Sequence, residues 1–259
     1  MLCRSHVFLL RRTVLENVVL DDEGNPIYSD SSLTPNGRAS YPMHYIGNHE
    51  PSRRGPHPHA IIFLTSDAFG VLPAVSRLSP EQASYLFLSG YTAKVAGTER
   101  GVTEPVPTFS HSFGAAFMPL RPAVYGDLLA RRMRQHDTDV YLVNTGWTGG
   151  APGVGHRFPL ATTRALVTAI VSGKMAAAPL TDPDPIFRLR SPVTVADADG
   201  VPIPAGVLDP KAAWVARGAG AEYEVAARRL AAMFVKNWAD QGFPAELTQY
   251  GPVSEAADH

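Results

Sequence analysis

The run from Asp139 to Gly173, DVYLVNTGWTGGAPGVGHRFPLATTRALVTAIVSG, constrains the fold more than any other part of this 259-residue chain. "DVYLVNTG" is a short apolar strand that feeds straight into a glycine-rich stretch. "TTRALVTAIVSG" then reads as a helix capped by Thr162 or Thr163 and ended near Gly173. Strand, glycine loop and helix in that order point to an α/β protein with a ligand site at the carboxyl end of a strand. Five glycines between Asn144 and Phe158 can bring backbone N–H groups close to an anion, and Gly150 and Gly155 have the G-x4-G spacing of a phosphate-binding loop. Yet His156 stands where that loop needs lysine, and Arg157 where Ser or Thr would hold Mg²⁺. The spacing leaves two readings: a phosphate cradle, or another part of a nucleotide site.

The neighbouring segments fit the same class. "AIIFLTSDAFG" (60–70) is a continuous apolar run closed by Asp67 and Gly70, which predicts a buried central strand. "SPEQASYLFLSG" opens a helix with a capping box, Ser79 as N-cap and Gln82 reaching back, and Gly90 ends it. "RPAVYGDLLARRMRQHD" predicts a helix with Val124, Leu128, Leu129 and Met133 on its apolar face. A last helix, 221–240, places Tyr223, Ala227, Leu230, Phe234 and Trp238 on one stripe, which reads as core packing. "TVLENVVLDDEGNPIYSD" predicts a strand, a turn over 21–25 and a short second strand. The tail "PVSEAADH" reads as frayed.

Composition excludes some functions. A formal net charge of −1 gives no electrostatic reason for a nucleic acid or an anionic membrane as partner. No run of about 18 apolar residues is present to span a membrane, and Arg4 and His6 interrupt the N-terminal "MLCRSHVFLLRR" too early for a signal peptide. A lone cysteine, Cys3, excludes an internal disulfide and suits a reducing cytoplasm. His57 and His59, with His44 and His49 nearby, lie in a proline-rich stretch with no helical i,i+4 pair, so they read as a solvated loop rather than a metal site. "DADG" (197–200) lacks the later ligands of a calcium loop and reads as a turn.

Three places carry candidate chemistry. Arg38, between a turn and an aromatic-rich run, either pairs with a surface carboxylate or projects its fork toward a phosphate or carboxylate. Residues 93–105, with Lys94, Glu99, Arg100 and Glu104, are ordinary solvated charges or a lid over an anionic ligand. Arg157 is a cation just past the glycines, and Thr163 lies near a helix N-terminus, a reasonable anion-binding end.

Four stretches together are more specific than any one: "NGRASYPMHYI", "IIFLTSDAFGVLPAVSRLSPEQASYLFLSGYTAKVAGTERGVTEP", "TFSHSFGAAFMPLRPAVYGDLL" and "YLVNTGWTGGAPGVGHRFPLATTRAL". They resemble the ATP-dependent phosphoenolpyruvate carboxykinase family. The likeness begins near Arg11, runs in order to about Lys174 and continues more weakly through the last helix. It implies a mixed α/β chain, residues 11–259, forming an incomplete C-terminal part of a P-loop-type nucleotide domain, preceded by a non-matching segment, 1–10. It implies the reaction of oxaloacetate and ATP to phosphoenolpyruvate, ADP and CO₂, assisted by Mg²⁺ and Mn²⁺, in gluconeogenesis in the cytoplasm.

By the same resemblance, Arg38 matches the arginine that bridges transferred phosphoryl group and substrate. Arg157, Phe158 and Thr163 match nucleotide contacts, and residues from about 94 to 106 match the active-site lid, including Lys94, Glu99 and Arg100. The glycine-rich stretch then corresponds to the adenine side of the nucleotide site, not the phosphate cradle. The family's Walker A loop, the acidic pair after it, the metal-holding lysine and histidine and the carboxylate-clamping arginine belong upstream of Arg11. No metal ligands are therefore expected in this sequence. His111, Ser112 and His156 depart from the family pattern. The expectation is the C-terminal half of a longer enzyme, severed by a frameshift, a misplaced start or a gene break, inactive alone and showing an unpaired sheet edge. The rival readings are a non-catalytic nucleotide-binding remnant, one subunit of a split enzyme with a missing N-terminal half, and a dinucleotide oxidoreductase, for which the G-x-G-x-x-G after a strand, with an acidic residue about 20 positions on, is lacking.

Overall fold

A computed structural model of the chain describes residues 12–34, 37–94, 104–196 and 200–254. The N-terminal segment 1–10 lies outside the described residues. So do Glu99 and Arg100, and three of the four positions of the turn at 197–200. The chain divides into two units, Met1–His57 with Lys94–Glu104, and Pro58–Ala93 with Pro105–His259.

The first unit is built from short pieces. The expected first strand is broken in two, β1 (Val14–Glu16) and β2 (Val19–Leu20), because Asn17 between them takes a left-handed backbone with φ 58°. β2 pairs antiparallel with β3 (Pro26–Ile27). Asp21 holds the turn between them, its Oδ1 accepting the N–H groups of Glu23 at 3.0 Å and Asn25 at 2.7 Å. β1 pairs antiparallel with β4 (Arg38–Ser40), with Arg38 opposite Glu16. None of the described residues of 12–57 is fully buried.

The second unit is a three-stranded sheet with an apolar core on each face. β5 (Ala60–Thr65) is followed by β6 (Val75–Leu78), the helix α1 (Pro80–Ser89) and the hairpin β7 (Tyr91–Lys94) and β8 (Val106–Phe109). Then come α2 (Pro122–His136), β9 (Asp139–Asn144), the small pair β10 (Trp147–Thr148) and β11 (His156–Arg157), and α3 (Leu160–Val171). A single turn α4 (Ala205–Leu208), the short α5 (Pro210–Ala216) and the long α6 (Gly220–Gln241) complete it. β9 is the central strand, parallel to β5 and antiparallel to β6.

Alternation along β9 splits the cores. Val140 and Leu142 face one cluster, with Leu78, Leu88, Met133 and the α6 stripe Tyr223, Ala227, Leu230, Phe234 and Trp238. Tyr141 and Val143 face the other, with Val75, Leu166, Ala169, Ile170 and Phe158. Each large apolar side chain so buried stabilises the fold by roughly 1.5–3 kcal/mol before entropy is counted. The α6 stripe is core, as its spacing predicts. The Ser79–Gln82 capping box is present, and Gly90 closes α1 in the left-handed region at φ 53°.

Three expectations are corrected. The 60–70 run is an edge strand and not the central one; its position beside β9 leaves its other edge without a strand among the described residues. On α2, Val124 is 49% exposed, while Gly126, Ala130 and Met133 are buried. The helix turns that face inward because Gly126 lets it close on α1: a Cβ at 126 would stand 3.3 Å from Leu88, and Ser84 Oγ donates to the Gly126 carbonyl at 2.7 Å. Finally, α3 starts at Leu160 with Pro159 as N-cap, so neither Thr162 nor Thr163 caps it. Pro159, its ring fixing φ at −59° with an extended ψ of 144°, takes the N-cap position and leaves Thr163 inside the helix, its N–H donating back to the Pro159 carbonyl at 3.2 Å. No helix among the described residues is long and apolar enough to cross a membrane.

Candidate functional site

The carboxyl ends of β5 and β9 lie side by side, and two loops leave there, 66–74 and 145–155. Asn144, buried at the end of β9, ties them together. Its Oδ1 accepts the N–H groups of Asp67 at 3.0 Å and Gly146 at 2.8 Å, and its Nδ2 donates to the Leu72 carbonyl at 3.1 Å. The Asp67 carbonyl in turn accepts the Trp147 N–H at 2.8 Å.

The glycines are there because these backbones touch. A Cβ on Gly146 would come within 2.3 Å of the Asp67 nitrogen, and one on Gly70 within 2.3 Å of the Gly150 carbonyl oxygen. Gly155 folds back on Gly150 just as closely, whereas Gly153 faces open space. Most of the apparent phosphate-loop spacing is thus occupied by chain-to-chain packing within the protein. Trp214 of α5 locks the far side, its Nε1 donating to the Gly70 carbonyl at 2.7 Å.

Asp67 is fully buried, and its carboxylate collects four donors. Oδ1 accepts from Phe69 N at 2.8 Å and Tyr91 Oη at 2.9 Å; Oδ2 accepts from Val71 N at 2.7 Å and Leu72 N at 2.9 Å. Burial nevertheless outweighs these bonds and raises the carboxyl above its ordinary value. The Tyr91 hydroxyl is pushed well up, first by burial and then by the Asp67 charge. Tyr91 opens β7, and its ring packs with Phe109 of β8 and Phe234 of α6, centroids 5.0–5.1 Å apart. The loops at the strand ends and the hairpin leading to residue 94 therefore share one buried anchor. Sequence reading treated Asp67 only as the residue that closes a strand. Its signal was an acidic residue inside an otherwise apolar stretch.

The expected site residues stand as follows. Arg157 is exposed on β11, opposite Trp147 in the β10–β11 pair. Its Nε donates to the Thr145 carbonyl at 3.0 Å and its guanidinium carbon lies 5.4 Å from the centre of the Trp147 ring. No acidic partner holds it among the described residues. Phe158 is buried in the second core and its N–H is taken by the Gly146 carbonyl at 2.9 Å, so neither its ring nor its N–H is open to a ligand. Thr163 is half-buried in the first turns of α3. Arg157, Phe158 and Thr163 thus come from one short path, β11 into α3. Lys94 is half-buried at the end of β7.

Arg38 belongs to the other unit, exposed on β4 and lining a cleft of about 280 Å³ with Leu15, Ile27, Tyr28 and Asp30. His57 and His59 are exposed, and among the described residues no three or more His, Cys, Asp or Glu side chains gather as metal ligands would.

The family model described as "Phosphoenolpyruvate carboxykinase" matches residues 8–201. Chelativorans sp. (strain BNC1) has a "Phosphoenolpyruvate carboxykinase (ATP)" that is 51% identical over 226 residues, covering 87% of this chain and 40% of the relative. The protein of the same name from Agrobacterium fabrum (strain C58 / ATCC 33970) shows the same values, and that from Rhizobium etli (strain CIAT 652) is 51% identical over 227 residues, covering 88% and 41%. The chain spans about two fifths of the length of the curated relatives it matches. With a match that takes in both loops, the β7–β8 hairpin, β4 and α3, this chain belongs to the ATP-dependent phosphoenolpyruvate carboxykinase family.

Proposed function

We propose that the chain supplies the nucleotide-base side and the lid of an ATP-dependent phosphoenolpyruvate carboxykinase. In that reaction oxaloacetate loses CO₂, the enolate oxygen so formed takes the γ-phosphoryl group of ATP, and ADP leaves. The observation that carries this reading is the family match across 8–201 together with relatives at about half identity. Residues 11–259 are then part of one nucleotide-binding domain, with the lid at about 94–106 carrying Lys94, Glu99 and Arg100.

In this reading Arg157 presents its outer N–H donors beside the Trp147 ring, where an adenine nucleotide meets both a cation and an aromatic face. By the same reading Phe158 and Thr163, a short path further along the chain, contribute to the same nucleotide site. Arg38 offsets charge on the phosphoryl oxygens in transit between donor and acceptor. The family's reaction calls for Mg²⁺ and Mn²⁺, whose ligands in this reading belong to the part upstream of Arg11; among the described residues no three His, Cys, Asp or Glu side chains gather. Positioning and electrostatics carry most of phosphoryl transfer, and this chain alone does not position a γ-phosphate.

The test is a coupled assay of phosphoenolpyruvate formation from oxaloacetate and ATP. The purified chain should be inactive. Co-expressed with the portion of the Chelativorans enzyme outside its match to this chain, it should turn over. Turnover by the chain alone would refute its dependence on the remainder. Absence of turnover from a verified complex would leave a nucleotide binder without the reaction.

A further inference from the structure

The glycine-rich loop is gripped by a helix that lies outside the sheet. α5 is capped by Asp209, whose Oδ1 accepts the N–H groups of Lys211 at 2.9 Å and Ala212 at 3.3 Å. Gly218, left-handed at φ 79°, turns the chain after Arg217, and the Ala219 N–H closes this end on the Trp214 carbonyl at 3.0 Å. Trp214 and Arg217 have the i,i+3 spacing of one helix face, and the guanidinium carbon lies 5.3 Å from the centre of the Trp214 ring. Both residues reach the loops. Trp214 holds the Gly70 carbonyl, and a Cβ on Gly150 would stand 2.9 Å from Arg217 Nη1. Gly150 is therefore in close contact with both Gly70 and Arg217.

What Gly150 holds in turn is the β10–β11 hairpin. A Cβ on Gly155 would come within 2.3 Å of the Gly150 carbonyl oxygen, so the returning strand starts against it, while Gly153 at the tip meets nothing. Trp147 and Arg157 stand opposite each other in the stem. A shift of Gly150 is thus passed to the stem. Arg217 is not placed there by an ion pair. Glu222 lies 3.7 Å from its guanidinium, longer than a hydrogen bond, and is itself 69% exposed. The end of α5 and the Trp214 ring set its position.

We propose that Arg217 is a positioning residue for the nucleotide site: by fixing Gly150 it sets where the β10–β11 stem presents Arg157 and Trp147 to an adenine nucleotide. The inference rests on the proposed function for its ligand, but not for the grip on Gly150. Lysine does not replace this arginine, because an ammonium on a flexible stem lacks the planar fork that lies over an indole.

The experiment is a double-mutant cycle on the chain co-purified with the portion of the Chelativorans carboxykinase outside its match, read by calorimetric titration with ADP. Arg217→Ala should weaken binding about fivefold, and Arg217→Lys nearly as much. In an Arg157→Ala background the same change should cost less than about twofold, because Arg217 acts through the stem. In turnover the loss should fall on KM for ATP, with kcat kept within about twofold. Arg229→Ala is the matched control. That arginine lies over Phe69 at 5.5 Å and is not among the nearest contacts of any glycine, so binding should be unchanged.

Four results would overturn the proposal: parent affinity in Arg217→Ala, even with a lowered melting temperature; equal losses in both backgrounds; full rescue by lysine; or an equal loss from Arg229→Ala. A parent complex that binds no ADP removes the proposed function and the ligand of this inference together. Hydrogen–deuterium exchange on the chain alone still reads the grip. Exchange of the 149–157 amides should quicken about tenfold in Arg217→Ala, and unchanged exchange would deny that Arg217 holds the loop at all.

Discussion

A carboxylate with no water around it keeps its charge only while its donors stay in place. Asp67 depends on three backbone N–H groups and one phenol, Tyr91. Tyr91→Phe removes the phenol while preserving the ring, and should cost about 2 kcal/mol in urea unfolding at neutral pH. The pH dependence has a definite sign. Because the folded Asp67 carboxyl sits above its ordinary value of 3.8, its contribution to stability is full below that value and declines as pH rises through the folded one. Asp67→Asn lacks that titration, so the stability of the parent relative to this variant should fall as pH rises above about 4; a constant difference would contradict the assignment. Arg157 is the opposite case, an exposed residue with little to hold up. Arg157→Ala should leave the melting temperature nearly unchanged and weaken adenine-nucleotide binding by about tenfold in the reassembled enzyme. Calorimetric titration with ADP measures that loss.

At the scale of elements, the glycine-rich loop makes a paired prediction. Gly146→Ala drives a methyl group into the Asp67 backbone at 2.3 Å and should cost at least about 3 kcal/mol or prevent folding. Gly153→Ala meets nothing within 4 Å and pays only for its φ of 82°, about 1 kcal/mol. Chemical denaturation of the two variants side by side distinguishes packing glycines from a merely flexible loop. The same contrast explains what could be read in advance. The α6 stripe and the Ser79 capping box were legible because they depend on residues close in sequence. Periodicity reports which faces of β5 are apolar and not which edges are paired, so it predicts a central strand where the fold has an edge. Val124 was placed on the buried face of α2 because nothing in its own helix shows that Gly126 lets Leu88 approach. Asp67 was overlooked as an anchor because its donors include Tyr91, which lies 24 positions away. Of the candidate site, Arg157 and Thr163 stand out in the sequence as a cation past the glycines and a residue near a helix N-terminus, and only the family likeness implies their nucleotide roles. The stacking of Arg157 on Trp147 required the β10–β11 pairing to be known.

At the scale of the whole molecule, the two units differ in what holds them. Residues 12–57 contribute no fully buried side chain among those described, and short two-stranded pieces are marginal in water. Their amides should exchange with solvent within seconds to minutes, while those of β9 and α6 stay protected to near global unfolding; mass-resolved exchange on the isolated chain reads both at once. Arg38 sits in the first of these regions, so the placement of its guanidinium depends on whatever packs around β4. The second unit also has a practical property that follows from where its indoles lie. Trp214 and Trp238 are buried, whereas Trp147 is half-buried beneath Arg157. Aqueous iodide therefore reaches Trp147 ahead of the two buried indoles, and the quenchable part of the tryptophan emission gives the protein its own optical gauge at the mouth of the glycine-rich loop.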